Sequence, residues 1–154
     1  MDASTFLGQM GAALAVGMAA VGSALGCGSA GMAAAGAWAK DARAGKALRF
    51  TNVILVSMPF TQTLYGFLVM LQMAGKMDLA AEHGGALFAI GLATGLGELL
   101  SAWFQGRVGA SGCRMLTESE GKGFALIIIA MGIVESVGLF TFIFMFLLLN
   151  RIGG

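Results

Sequence analysis

One carboxylate, Glu135, stands in a run that is otherwise free of charge from Gly123 to Leu149. That length suits a membrane-spanning helix, which takes about 20 apolar residues, and it sets Glu135 near the middle of a bilayer. A carboxylate at that depth costs roughly 2.5 to 3.5 kcal/mol on insertion scales, so it is expected to have a partner and a task. Two other segments hold side chains suited to be that partner. In SMPFTQTLYGF, Met58, Thr61, Gln62 and Tyr65 fall at offsets of 3, 4 and 7 and share one helix face. Pro59 removes a backbone donor there, leaves the carbonyl of Leu55 unpaired and loosens the hydrogen-bond ladder. SAWFQGRV contributes Gln105. A hydroxyl, two amide oxygens, a phenol and a carboxylate are hard donors, and one carboxylate balances one monovalent cation. The chemistry they suggest is carriage of Na+ held by these oxygens, or of a proton on the carboxyl. Hydrogen bonds that merely tie helices together would also account for the amides and the hydroxyl. They do not account for an ionisable group at the midplane, and the surplus of oxygens favours Na+ over a proton.

The elements that must position these residues follow from composition. The chain has 154 residues, is 58% hydrophobic and only 11% charged, against about 25% charged in soluble domains. Its mean hydropathy is +0.86. Charge-free stretches run from Ala3 to Ala39, Phe50 to Gly75, Gly84 to Gly97, Leu99 to Gly106 and Gly123 to Leu149. They predict an all-α membrane protein of a single membrane domain over 1–154, with spanning helices at about 5–39, 49–74, 84–114 and 122–150. The start MDASTF lacks a basic region, and the apolar stretch after it exceeds the roughly 7 to 15 residues of a signal peptide, so it is read as a retained first helix. Cys27 and Cys113 lie among small apolar residues, without His or Cys at ligand spacing, and are expected to pack. A net charge of +1 implies no nucleic-acid partner. Lys40, Arg43, Lys46 and Arg49 precede the second helix, and Arg107, Arg114 and Lys122 fall before the fourth, whereas the opposite side has only Lys76 and Arg151. The positive-inside rule places segments 40–49 and 114–122 in the cytoplasm and both termini outside.

Sliding the sequence over itself by 73 positions aligns Gly22 with Gly95, Gly36 with Gly109, Ala37 with Ala110, Phe67 with Phe140, Gln62 with Glu135 and Met32 with Gln105. This is a duplicated helical hairpin, 5–74 repeated as 84–150 in the same orientation, with an amide in the first copy where the second has the acid. Glycine and alanine crowd the first helix, and less densely the third. Small residues let backbones approach closely in lipid, so these two helices are expected on the inside and the bulkier second and fourth outside. Two concentric layers of a ring would follow.

The duplicated hairpin, PFTQTLYGF, FQGRVGASG and MGIVES together resemble the proteolipid rotor subunit of V-type rotary ATPases, most of all its bacterial Na+-transporting branch, where it is usually called K or c. The resemblance covers essentially the whole chain. It implies a non-catalytic subunit in a ring of identical copies, surrounded by membrane lipid in a bacterial inner membrane. The ring would turn against a stator subunit that bears an essential arginine, while partner subunits hydrolyse or make ATP. It also implies a site for Na+ made of Glu135, Thr61, Gln62, Gln105 and the backbone carbonyl of Met58, with Tyr65 bonded to Glu135. Segments 40–49 and 114–122 would meet a central-stalk subunit, or would be solvated loops that only set topology.

Three features depart from the family pattern: Phe60 after the proline, Ser136 and Val137 beside the glutamate, and a second intramembrane acid, Glu98. Glu98 lies seven residues before Gln105, about 10 Å along a helix and toward the outer side. It is expected to be protonated and hydrogen-bonded within the inner layer, with a wet ring lumen as the alternative. A second ion site is the lesser reading, since no oxygen cluster accompanies it. The motif GxxxxGK[ST] is absent, so ATP chemistry would belong to partners. The rivals are a proton-carrying ring and an unrelated tetraspanning enzyme, channel or structural protein. The lone histidine, His83, is expected in a solvated outer loop and supplies no catalytic cluster.

Overall fold

The computed structural model describes residues 2–153. Four helices in it are long and apolar enough to cross a membrane: α1 (Ala3–Arg43), α2 (Thr51–Ala74), α3 (Met77–Glu118) and α4 (Phe124–Leu149). Asp2 caps α1 by accepting from the Thr5 N–H at 2.7 Å, and Lys40 and Arg43 lie in its last turn, where cations suit the negative end of the helix dipole. In α2 the α-helix gives way to a 3-10 turn over Met58–Phe60, because Pro59 cannot donate to the ladder. The turn closes through the Thr61 N–H onto the Met58 carbonyl. Gly123, at φ 86°, starts α4 from a left-handed conformation that glycine adopts without strain.

The third helix begins earlier than the expected residue 84. Its first turn is the 3-10 segment Met77–Leu79, and buried Ala80 and Leu87 anchor it against the rest of the bundle. His83 is therefore not in an outer loop. It sits at a kink inside α3, with φ −114° and ψ 15°, and is half-buried.

The principal packing is of α1 on α3. It depends on bare α-carbons: a side chain at Gly26 would run into the Ala102 carbonyl, and one at Gly106 into the backbone of Gly26. Backbone cannot yield as a flexible side chain can, so these positions set the close approach of the two helices. Helix α2 packs on α1, α4 packs on α3, and α2 and α4 touch each other. The small-residue helices thus form an inner pair and the bulky ones an outer pair. Only Met131, Gly138 and Leu149 of α4 are buried, while Leu126, Ile129, Ile133, Val137, Phe140 and Phe144 are exposed, as a surface solvated by lipid or by a neighbouring subunit would be.

Two apolar clusters fill the bundle. One gathers Ala15, Val69, Met73, Leu87 and Leu149, and the other Ala34, Leu55, Cys113, Leu116 and Met131. Cys113 packs in the second, as its surroundings in the sequence implied. The two loops on the predicted cytoplasmic side lie together, joined by Lys46 and Glu120 at 2.8 Å. Arg49 reaches back to the buried Asp41 at 2.9 Å, and Trp38 donates to the Arg49 carbonyl at 2.9 Å, which fixes the turn from α1 into α2. At the other end Ser4 donates to the Ala80 carbonyl at 2.8 Å, and Lys76 to the Ile152 carbonyl at 2.7 Å.

Candidate ion-binding site

A buried polar group needs partners or it destabilises the fold, so the polar side chains of α2, α3 and α4 are best read through their hydrogen bonds. Glu135 lies on the flank of α4, half-buried. Its Oε1 accepts from the Thr61 hydroxyl at 2.8 Å and, at a long 3.5 Å, from the Tyr65 hydroxyl. Its Oε2 accepts from Gln105 Nε2 at 3.1 Å. Tyr65 is held in place by stacking on Phe142, with ring centroids 5.5 Å apart. Behind this front sit two fully buried amides. Gln62 Nε2 donates to Gln105 Oε1 and to Ser101 Oγ, both at 3.2 Å.

The crowding around Thr61 is the most informative feature. Its hydroxyl oxygen lies 2.8 Å from Glu135 Oε1, 3.0 Å from the Met58 carbonyl and 3.2 Å from Gln62 Oε1. A hydroxyl has one proton and can satisfy one of those three acceptors. The cluster therefore carries more oxygen lone pairs than hydrogens, with a single formal negative charge, the composition expected for a hard monovalent cation. Among the described residues no three of His, Cys, Asp and Glu gather as transition-metal ligands would. The Met58 carbonyl is at hand because the 3-10 turn at Pro59 brings it to the Thr61 side chain.

The family model for the C subunit of ATP synthase matches the chain twice, over residues 10–73 and 88–148. The chain belongs to this ATP synthase family. Each match takes in one hairpin, so the duplication inferred from the 73-residue offset is a duplication of the family's own unit. The chain is also similar to the A-type ATP synthase subunit K of Methanocaldococcus jannaschii, at 38% identity over 115 residues. That alignment covers 74% of this chain and 49% of the relative, so the matched region spans about half of that protein's length. In this member of the family Met58, Thr61, Gln62 and Tyr65 come from the first unit, and Gln105 and Glu135 from the second. The cluster needs both units.

Three details differ from what the sequence suggested. Gln105 turns its nitrogen, not its oxygen, toward Glu135. Its NH2 group also donates to the Met131 carbonyl at 3.2 Å, and the flipped amide would set two acceptors against each other there. Gln105 thus acts as the donor that holds the carboxylate, and its oxygen receives Gln62. Ser101, which sequence reasoning passed over, joins the network by donating to the Val134 carbonyl at 3.0 Å while it accepts from Gln62. Its spacing, four residues before Gln105 and three after Glu98, was the available signal. Glu98 stands apart from this network. It is fully buried, without a partner for either carboxyl oxygen, against Gly138 of α4.

Proposed function

We propose that the chain is an ion-carrying rotor subunit of a rotary ATPase and that the ion it carries is Na+. The observation that carries the choice of ion is the oxygen cluster around Thr61, where one hydroxyl proton faces three acceptor oxygens. Na+ would be held by the Glu135 carboxylate, the Thr61 hydroxyl, the Gln62 amide oxygen and the Met58 carbonyl. Gln105 and Tyr65 would steady the carboxylate as donors. With the cation bound the site is neutral and can face lipid. Beside a fixed arginine on a stator subunit the carboxylate exchanges its cation for that charge, and the cation leaves into water. Which access path refills the site then biases rotation. The half-buried position of Glu135 on the flank of α4 supports such an exchange, since the carboxylate can be approached from outside the bundle.

The same reading makes the bundle one member of a ring of identical chains, with the small-residue helices α1 and α3 on the inner circle. The joined loops at Lys46 and Glu120 would form the face for a central-stalk subunit in the cytoplasm, with both termini on the other side. The chain contributes no ATP chemistry of its own.

The test is carbodiimide labelling of the purified protein near neutral pH, mapped by mass spectrometry, with and without Na+. These reagents modify a protonated carboxyl. Labelling of Glu135 that Na+ suppresses is the expected result. Labelling indifferent to Na+ that falls as pH rises would make the carried ion a proton, and no labelling of Glu135 would overturn the assignment of this residue as the carrier.

A further inference from the structure

Glu98 takes no part in the cluster around Thr61. Neither of its carboxyl oxygens has a partner, and no part of the side chain reaches the surface. The two ion pairs among the described residues, Lys46 with Glu120 and Arg49 with Asp41, both belong to the loop end and leave it without a cation. The ionisable groups of the neighbouring helices within electrostatic range of it are Glu135 on α4 and Tyr65 on α2, and neither can supply positive charge. Its slot exists because residue 138 is glycine. A Cβ there would come within 2.7 Å of Glu98 Oε2 and 2.9 Å of Ser101 Oγ, so two polar atoms of α3 converge on one bare α-carbon of α4.

An unpaired buried carboxylate is opposed by several kcal/mol of lost solvation, whereas a neutral acid needs a single acceptor. Ser101 can be that acceptor. Its hydroxyl donates to Val134 and receives Gln62 Nε2, which leaves one lone pair of its oxygen free. We propose that Glu98 is a second proton-binding site of the subunit, holding a proton that does not travel, and that its O–H closes on Ser101 Oγ past Gly138. With the serine committed to Val134 and Glu98, Gln62 can approach it only as a donor, and the Gln62 oxygen is kept turned toward Thr61. Glu98 is thus a positioning residue for the oxygen cluster. A carried ion must reach water, and Glu98 has no exposed surface. A metal cation would want several oxygens, and neither carboxyl oxygen of Glu98 has a hydrogen-bonding partner among the described residues.

The affinity part of this inference rests on Na+ binding at Glu135; the location of the proton does not. Infrared spectroscopy of the protein in lipid, at neutral pH and saturating Na+, tests the location. The carbonyl stretch of a protonated carboxyl is expected in wild type and in Glu135→Gln, and is expected to vanish in Glu98→Gln. A band that persists in Glu98→Gln and vanishes in Glu135→Gln would overturn the proposal. The positioning role is tested by the Na+ concentration that half-protects Glu135 from carbodiimide. Glutamine donates from its amide as the acid does from its hydroxyl, so Glu98→Gln should stay within about twofold of wild type, while Glu98→Leu should need roughly fivefold more Na+. Equal shifts in both variants would remove the link through Ser101. Loss of ion-coupled ATP hydrolysis in Glu98→Gln, with Glu135 still protected, would make Glu98 a carrier and overturn the proposal. If Na+ does not protect Glu135 even in wild type, the sodium reading fails, and the infrared band still decides where the proton sits.

Discussion

Replacing Thr61 with valine tests the oxygen cluster most directly. Valine keeps the branched shape and removes only the hydroxyl, which lies 2.8 Å from Glu135 Oε1, 3.0 Å from the Met58 carbonyl and 3.2 Å from Gln62 Oε1. The hydroxyl can keep its proton on the carboxylate while its oxygen meets the cation, so the loss of that hydrogen bond is common to the empty and the loaded site and cancels. The affinity falls by the lost oxygen contact alone, taken as about 1.5 to 3 kcal/mol, the worth of a hydrogen bond to a charged group. At about 1.4 kcal/mol per factor of ten, the affinity for Na+ should fall roughly 10- to 100-fold. The assay is the Na+ concentration that halves carbodiimide labelling of Glu135 at fixed pH, measured on protein whose melting temperature matches wild type. A half-protecting concentration within about twofold of wild type would show that the hydroxyl is not a ligand, and the choice of Na+ from the oxygen surplus would fall with it.

Gln105→Leu should lower the melting temperature well below that of wild type and of Thr61→Val. It takes a donor from Glu135 and Met131 and an acceptor from the buried Gln62, and each orphaned group costs about 1 to 3 kcal/mol. Gly26→Val should prevent recovery of folded protein in detergent, because its side chain would meet the Ala102 carbonyl and come within 2.8 Å of Pro59 Cβ. Arg49→Ala should destabilise the bundle by roughly 3 kcal/mol in a thermal melt, since it leaves the carboxylate of Asp41 buried and unpaired. Lys46 holds the Glu120 carboxyl below the usual glutamate range, mainly through the hydrogen bond between them. A depressed carboxyl contributes stability that is full above its unfolded-state value and is lost as pH falls through the folded one. Both side chains are exposed, so the difference between wild type and Lys46→Ala melts should be small, should disappear in acid and should shrink with salt.

The layers and the front of the cluster were legible because each rests on a one-dimensional pattern. Charge-free runs mark the four helices, the crowding of glycine in the first and third marks the inner pair, and the spacing of Thr61 and Tyr65 puts both hydroxyls on one face toward Glu135. What failed to show in the sequence depends on the facing chain. The sense of the Gln105 amide is decided by the Met131 carbonyl, a backbone atom of another helix. The surroundings of Glu98 are decided by Gly138, which lies forty residues away and offers space in place of a partner. The early start of α3 was hidden by Asp78, Glu82 and His83, polar residues that interrupt the apolar pattern without interrupting the helix beyond one kink.

The duplication also explains why four helices hold a single oxygen cluster of this kind. The offset of 73 relates Met58 to Met131, and both carbonyls face a side chain of the cluster, the Thr61 hydroxyl at 3.0 Å and the Gln105 amide at 3.2 Å. It relates Gln62 to Glu135 and Met32 to Gln105. Met32, at 75% exposure, points away from the bundle, so the inner helix of the first unit offers Gln62 no amide. Gln62 is then committed wholly to the second unit, through Gln105 and Ser101. An acid in its place would put a second carboxylate beside Glu135 with no added donors, and like charges that close are not both ionised. A glutamine there instead gives its oxygen to the cluster and its NH2 to the amide and serine behind it. On the proposed function, the way the two units interlock leaves one ion per duplicated chain, and a ring of such chains would carry as many ions per turn as it has chains.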